Sequence, residues 1–146
     1  MAVDPVPEGF HTINPYVIVN GAARFIDFLK NALGAEEQGR MDGPGGTVGH
    51  ATVKIGDSLL MLSDASPQFT PTSVYFYLYV DDADAAFKRA VAAGATPTME
   101  PTDQFYGDRR GDFTDTFGNR WSVATQREIV PPEEMQRRAA ALQRPG

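Results

Sequence analysis

The chain contains no cysteine, and it has only two histidines, His11 and His50. Without cysteine, a disulfide, a thiolate nucleophile and a cysteine-ligated metal centre are all excluded. Basic residues are also scarce, with 13 Lys and Arg against 19 Asp and Glu, so the formal net charge is −6. We therefore expect no nucleic-acid partner and no binding to an anionic membrane, because both require a basic surface patch.

Long hydrophobic segments are missing as well. Residues 1–10 have neither the basic segment nor the apolar segment of a signal peptide. No apolar run approaches the roughly 18 residues that a membrane-spanning helix needs. These absences favour a cytoplasmic protein. Its 146 residues, 42% of them hydrophobic, suffice for one domain or for two small fused modules.

Two hairpin-like stretches indicate an internal repeat. Gly49 and Gly111 lie 62 residues apart, and so do Gly56 and Gly118. Gly56 and Gly118 each lie in a tight turn, since glycine tolerates positive φ. With one-residue insertions elsewhere, the whole order strand–helix–strand–strand–strand occurs twice.

The repeat gives the expected organisation of the chain. Helices are predicted at 22–33 and 83–93, where apolar side chains recur with helical period. Strands are predicted at 11–19, 36–41, 74–80 and 96–100, and hairpins at 47–63 and 110–124. The predicted parts are an N-terminal arm at 1–10, a first βαβββ module at 11–64, a linker at 65–73, a second βαβββ module at 74–126 and a C-terminal helical tail at 127–146.

Four short segments carry a resemblance to a known family. They are GHATVKIGDS at 49–58, DQFYGDR at 103–109, DTFGNRW at 115–121 and PEEM at 132–135. Together with the repeat, they resemble the vicinal oxygen chelate superfamily of glyoxalases, bleomycin-resistance proteins and dioxygenases, and within it the PhnB-like branch. The resemblance covers roughly residues 8–143. It implies an α+β fold in which tandem βαβββ modules form a curved mixed β-sheet around a cleft.

The same resemblance implies where a metal would be held. Metal-dependent members place one ligand on each of four inward strand positions, which correspond here to Asn14, Met61, Tyr75 and Ser122. None of these is a carboxylate or an imidazole, the ligands that a catalytic divalent ion prefers. We therefore expect no metal and no cofactor, and we do not expect metal-dependent glyoxalase or dioxygenase activity.

Aromatic residues dominate the side of the strands that the resemblance assigns to the cleft. Side chains alternate between the two faces of a strand, so Tyr75, Tyr77 and Tyr79 share one face and Trp121 belongs to the core. Aromatic rings suit stacking on planar ligands or contact with cations, although strand propensity alone also explains tyrosines. The candidate ligand-binding residues are Tyr16, His50, Tyr75, Tyr77, Phe105, Tyr106, Arg109 and Ser122.

Two of these candidates have a chemical role to offer. His50 is the candidate general base, because a neutral imidazole accepts a proton; a hydrogen-bonded structural histidine is the alternative. Arg109 is a candidate for holding an anionic group of the ligand. The alternative for Arg109 is a salt-bridged loop formed with Asp108, Arg110 and Asp112.

Three functions are consistent with these observations. The favoured one is a metal-free protein that sequesters an aromatic or cationic compound such as an antibiotic, without catalysis. The second is a metal-independent enzyme of lyase or isomerase type that acts on a small carbonyl substrate with His50 as base. The third is an interaction protein whose cavity is filled by its own side chains. The resemblance also implies a homodimer in which one protomer's module completes the cleft of its partner.

Overall fold

Two four-stranded sheets, each backed by one helix, form the computed structural model, which describes residues 2–143. The first module comprises β1 (Tyr16–Val19), α1 (Ala22–Leu33), β2 (Glu36–Asp42), β3 (Val48–Ile55) and β4 (Ser58–Asp64). The second comprises β5 (Tyr75–Tyr79), α2 (Ala83–Ala92), β6 (Thr96–Asp103), β7 (Asp108–Thr114) and β8 (Arg120–Gln126), and α3 (Pro132–Leu142) follows. The predicted α+β class is confirmed. No helix within residues 2–143 is long and apolar enough to cross a membrane.

Both sheets have the same topology. The strand orders are β1-β4-β3-β2 and β5-β8-β7-β6, and in each sheet the first strand runs parallel to the last strand of its module. Tyr16 pairs with Met61 in the first sheet, and Tyr77 pairs with Ser122 in the second. Tyr16 and Tyr77 therefore occupy equivalent positions in the two sheets.

The two hairpins differ in their turns. Only Gly56 and Asp57 separate the paired residues Ile55 and Ser58, whereas residues 115–119 separate Thr114 from Arg120. The longer second turn is held by the Asp115 carboxylate, which accepts hydrogen bonds from the backbone amides of residues 117 and 119. The 62-residue spacing of the glycines is consequently not the structural register of β3 and β7.

Sheet pairing gives the correct equivalence instead. Thr52 lies opposite Met61, as Asp112 lies opposite Ser122. Counting back along β3 and β7 then makes His50 equivalent to Arg110, and Val48 equivalent to Asp108. This correspondence decides how the two sheets can be compared.

The helices lie between the two modules. Phe25 and Phe28 of α1 contact Phe117 and Phe113 of the second module, with ring centroids 5.1 and 6.4 Å apart. The indole of Trp121 is buried beneath these elements, as predicted. One continuous core thus joins both modules on the helix side of the sheets. The opposite side of each sheet, here called its open face, is not covered by a helix.

The beginning of each helix is fixed by the end of its own sheet. Gly21, the residue before α1, has no side chain to cap the helix, and the Asp64 carboxylate accepts from its amide and from that of Ala22, both at 3.0 Å. The second oxygen of Asp64 accepts from the Val48 amide at 2.8 Å. In the second module Oγ1 of Thr125, near the end of β8, accepts from the Ala83 amide at 2.9 Å, and the Asp82 carboxylate also caps α2 directly.

The first strand is shorter than predicted. Residues 11–15 are not part of β1, because the Asn14 amide side chain accepts from the His11 backbone N–H and donates to its carbonyl. This local turn competes with strand pairing, as short amide side chains commonly do. The backbone carbonyl of Pro15 still accepts from the Met61 amide at 3.1 Å.

Candidate functional site

The open face of the first module is organised around a tyrosine–histidine pair. The Tyr16 hydroxyl lies 3.2 Å from Nδ1 of His50, and the two rings are 5.7 Å apart between centroids. The hydroxyl of Thr52 lies 3.4 Å from Nε2 of the same imidazole. Both ring nitrogens of His50 are therefore next to neutral hydroxyl groups.

A cavity of about 420 Å³ lies on one side of this pair. A volume of this order is typical of small-molecule sites. Phe69 forms an outer wall and remains 61% exposed, on a turn closed by reciprocal backbone hydrogen bonds between Ser66 and Phe69. Aromatic or aliphatic side chains make up much of the lining, with hydroxyl groups between them. The lining residues are Tyr16, Ile18, Pro44, Thr47, Val48, Gly49, Ser63, Asp64, Ala65, Ser66 and Phe69.

The one carboxylate in that lining is already engaged. Asp64 accepts three backbone N–H bonds, from residues 21, 22 and 48. Burial opposes ionisation of Asp64, but these hydrogen bonds prevail and hold its pKa below the ordinary value. Asp64 thus shapes the cavity by fixing its walls, and most of its hydrogen-bonding capacity is already used by backbone amides.

A second cavity, of about 510 Å³, lies on the other side of His50. The N-terminal arm forms one of its walls through Glu8 and Phe10. Gly9 allows this approach, since it has φ +84° and a Cβ atom there would come within 3.1 Å of the Leu59 side chain. The strand residues that complete the lining are Gln38, Gly39, Arg40, Met41, His50, Thr52 and Leu59.

The open face of the second module carries a hydrogen-bonded network where the first has cavities. The hydroxyls of Tyr77 and Tyr79 both donate to Oδ2 of Asp108, at 2.7 and 2.9 Å. The Tyr77 hydroxyl is also 3.0 Å from that of Tyr106. Asp108 is only 3% exposed, so its carboxylate lies behind the two tyrosines.

An ion pair extends this network along the sheet. Arg110 donates to both oxygens of Asp112 at 2.8 Å, and to the Tyr106 hydroxyl at 3.0 Å. The fully buried Ser122 donates to Asp112 at 2.7 Å, which leaves its oxygen to accept from Tyr75 at 2.6 Å. Within the described residues, no buried side-chain nitrogen or oxygen lacks a partner. The second open face, here called the filled face, is therefore covered by polar side chains that hydrogen-bond to one another.

Burial and these hydrogen bonds determine the protonation states of Tyr77, Tyr79 and Asp112. Burial, with hydrogen bonds to Tyr106 and Asp108, raises the pKa of Tyr77, and the hydrogen bond to Asp108 raises that of Tyr79. Burial opposes ionisation of Asp112, but Arg110 and Ser122 prevail and lower its pKa. The phenols consequently remain donors at neutral pH, while Asp112 remains charged.

The neighbouring residues Arg109 and Arg110 point to opposite faces of the second sheet. Arg109 points to the helix side of the sheet, where it donates to both carboxylate oxygens of Asp84 at 2.9 and 3.1 Å and to Asp103 at 3.3 Å. The expectation that Arg109 holds an anionic ligand group on the cleft side is therefore contradicted by its position, because alternation along β7 places it on the opposite face. Arg110 is the guanidinium that reaches the open face.

The other predicted site residues fall into two groups. Tyr16 and His50 lie together on the first module, whereas Tyr75, Tyr77, Tyr106 and Ser122 lie together on the second. The ring of Phe105 stands perpendicular to that of Tyr106, with centroids 5.2 Å apart. Phe69, Tyr79 and Asp108 are not among the site residues predicted from the sequence. The alternation of charged residues at 108, 110 and 112 is the sequence pattern that could identify Asp108.

The four positions that hold a metal in metal-dependent superfamily members do not fit one here. Asn14 uses its amide to close a turn, and the hydroxyls of Tyr75 and Ser122 are bonded in series to Asp112. Met61 offers only a thioether, a soft ligand that does not suit such an ion. In the part of the chain that the structure describes, no three histidine or acidic side chains are grouped to hold a metal ion.

Comparison with known proteins places this arrangement in a family. The family model of the Glyoxalase/Bleomycin resistance protein/Dioxygenase superfamily matches residues 9–123. The chain belongs to this superfamily. A relative in Mycobacterium bovis, described as uncharacterized protein Mb0911c, is 39% identical over 147 residues, which cover 93% of this chain and 94% of the relative.

Solved structures agree with the superfamily fold. A gene product of Arabidopsis thaliana is 29% identical with a TM-score of 0.64, and the match covers 79% of this chain and 98% of that one. TnmS3, described as an antibiotic binding protein from Streptomyces sp. CB03234, is 25% identical with a TM-score of 0.64. That match covers 86% of this superfamily member and 98% of TnmS3.

Proposed function

We propose that this superfamily member is a metal-free binding protein that sequesters an aromatic or cationic small molecule of the antibiotic type. The observation that carries the proposal is the 420 Å³ cavity between Tyr16 and Phe69 on the first open face. Planar rings can stack against these two aromatic side chains, and the apolar parts of the walls favour a ligand with little polar surface. Sequestration needs only such a shaped site, without a reacting group.

Two further points support this choice. TnmS3, which shares the fold and about a quarter of the sequence, is described as an antibiotic binding protein. The four segments noted in the sequence favour the PhnB-like branch of the superfamily for this chain. The antibiotic class itself is our proposal, because the description belongs to TnmS3.

We also propose that the protein acts in the cytoplasm as a homodimer. Each open face carries exposed tyrosine side chains, with Tyr16 on the first module and Tyr75 and Tyr77 on the second. An open face with several exposed aromatic residues suits burial against a partner. In such a dimer the filled face of one protomer would close the cavity face of its partner.

A second function rests on the environment of His50. Its two ring nitrogens lie near the hydroxyls of Tyr16 and Thr52, and His50 also lines the second cavity. A neutral imidazole held in this way could take a proton from a small carbonyl substrate. Binding needs only the shape of the site, whereas catalysis also needs a reacting group in the right place. Enzymatic activity is therefore the alternative proposal.

The binding proposal is tested by calorimetric titration with a panel of planar and cationic antibiotics. At least one compound is expected to bind in a 1:1 ratio per chain, and Tyr16→Ala and Phe69→Ala should each weaken it about tenfold or more, since each removes a stacking surface worth about 1.5 kcal/mol. Ile129→Ala, at an exposed position outside both cavities, is the matched control. Saturable binding that survives both aromatic substitutions would refute the site, and no binding across the panel would refute the function.

Metal and catalysis are tested with the same samples. Added Ni²⁺, Zn²⁺ or Mn²⁺ is expected to leave the melting temperature unchanged relative to chelator, because the four candidate positions offer no suitable ligand set. Clear stabilisation by one of these ions would restore the metalloenzyme alternative. Turnover of a small carbonyl compound that disappears in His50→Ala, with binding retained, would favour the enzyme.

A further inference from the structure

Asp108 is a buried carboxylate without a cationic partner in the described part of the chain. It is 3% exposed, and no salt bridge of the structure includes it. Its neighbours Arg109 and Arg110 are committed to Asp84 and Asp112, respectively. Removing a carboxylate from water is costly unless it is compensated, and here the compensation comes from two phenolic hydroxyls alone.

The directions of the hydrogen bonds can be assigned from one end of the network. A guanidinium only donates, so the Tyr106 hydroxyl accepts from Arg110 and donates a hydrogen bond to the Tyr77 oxygen. Ionised carboxylates only accept, so Tyr77 and Tyr79 both donate to Asp108. The Tyr77 hydroxyl therefore both donates and accepts a hydrogen bond. The Tyr79 hydroxyl donates to Asp108, and the lone pairs of its oxygen remain available to accept.

Tyr79 is also the most accessible member of the network. Its residue is 67% exposed, and its ring lies 5.5 Å from that of Tyr77 at an angle of 56°. Behind it stands the uncompensated charge of Asp108, whereas the positive charge of Arg110 is neutralised in a bidentate pair. A ligand group bound at Tyr79 therefore meets an aromatic face, an oxygen that can only accept a hydrogen bond, and a net negative electrostatic field.

We propose that Tyr79, backed by Asp108, forms a binding site for the ammonium group of an organic cation. An ammonium supplies the hydrogen-bond donors that the Tyr79 oxygen lacks, and it interacts favourably with the ring. A carboxylate or phosphate would meet neither a free donor nor a favourable field there. The inference rests on the proposed binding function for its ligand class and narrows that class to compounds that carry an amine.

The test uses benzylammonium and its neutral counterpart benzyl alcohol, with benzoate as the anion. Each is titrated into uniformly ¹⁵N-labelled full-length protein, and amide chemical shifts are followed. Benzylammonium is expected to give saturable shifts at Tyr79 and Asp108 with an affinity about tenfold above that of benzyl alcohol, which corresponds to about 1.4 kcal/mol. Benzoate should leave these amides unchanged.

Two variants connect the preference with the proposed residues. Asp108→Asn keeps the size and an accepting oxygen but removes the charge, so the preference for benzylammonium should fall from about tenfold to about threefold or less. Asp103→Asn, which neutralises an exposed carboxylate near Arg109, should retain it. If Asp108→Asn does not fold, Tyr79→Phe serves instead, because it removes the accepting oxygen and leaves the ring.

The outcomes are distinct from those of the antibiotic titration. Equal affinity for the charged and neutral probes, or an unchanged preference in the variant that folds, would overturn the cation site. Shifts confined to the first module would overturn it as well. If benzylammonium binds at Tyr79 and no antibiotic of the panel binds, the cation site stands and the proposed function fails.

Discussion

The two open faces start from the same fold and present opposite surfaces. Equivalent tyrosines, Tyr16 and Tyr77, stand at the centre of each. Around Tyr16 the neighbouring positions are uncharged, and a cavity remains on either side. Around Tyr77 the same positions carry Arg110, Asp112 and Ser122, which fill the face with hydrogen bonds.

A few substitutions between the repeats account for this difference. His50 stands where the second module has Arg110, Thr52 where it has Asp112, and Met61 where it has Ser122. The second set can satisfy its own polar groups across the sheet, so its side chains hold one another in place. The comparison teaches that one repeat retains space for a ligand while the other forms a preorganised wall. Breaking either face should therefore have different consequences.

The largest effect is expected from Arg110→Ala. This change leaves the buried Asp112 without its cation, and removing one partner of such a pair costs about 3 kcal/mol in the free energy of unfolding. Its neighbour is the matched control, since Arg109→Ala breaks a partly exposed pair and should cost clearly less. Urea denaturation of both variants measures the difference. Equal losses would mean that the network does not stabilise the second face.

Met61 and Ser122 occupy equivalent positions, and exchanging their residue types should cause a large loss of stability only at Ser122. Ser122→Met forces a large side chain into a fully buried site and removes a donor to Asp112, which should cost about 2 kcal/mol. Met61→Ser, in the half-buried position opposite Thr52, should cost less than half as much. Thermal unfolding of the two variants would contradict the comparison if the losses were the same size.

Smaller effects are expected at the two tyrosines. Tyr77→Phe interrupts the chain between Tyr106 and Asp108 and should lower the free energy of unfolding by about 1 kcal/mol. Tyr16→Phe removes a single exposed contact with His50 and should change it by less than about 0.5 kcal/mol. Chemical denaturation should show this order. A larger loss in Tyr16→Phe than in Tyr77→Phe would mean that the stabilising network lies on the first module.

The smallest expected effect is on the free energy of unfolding at acidic pH. The pKa of Asp112 is lower in the folded protein than the ordinary value near 3.9, so its ionisation stabilises the fold fully above about pH 4. That contribution is lost as the pH falls through the folded pKa. Wild type should therefore lose stability below about pH 4 more steeply than Asp112→Asn. Parallel pH profiles of the free energy of unfolding would show that Asp112 does not carry this dependence.

Much of the fold follows from local patterns in the sequence. The bounds of α1 match the prediction because a helical apolar face ends at a glycine, Gly34, which adopts φ +66°. Alternation also places the tyrosines of β5 on one face, with Phe76 and Leu78 on the other. These features depend on residues close together in the chain.

The errors in the site have causes that are not local. The second turn is longer because Asp115 binds several donors at once, which shifts β7 against the glycine spacing. Arg109 and Arg110 look alike in sequence, and only their partners on α2 and in the sheet separate them. The first cavity needs Phe69 from the linker between the modules, and no periodic pattern connects that residue with Tyr16.

The most direct test of the account is an amide chemical-shift titration of ¹⁵N-labelled protein with the tightest-binding planar antibiotic of the panel. The account predicts that the largest shifts occur at Ile18, Val48 and Phe69, around the 420 Å³ cavity. Shifts confined to Tyr75, Ser122 and their neighbours on the filled face would contradict it, because the ligand would then occupy the module assigned here as the wall.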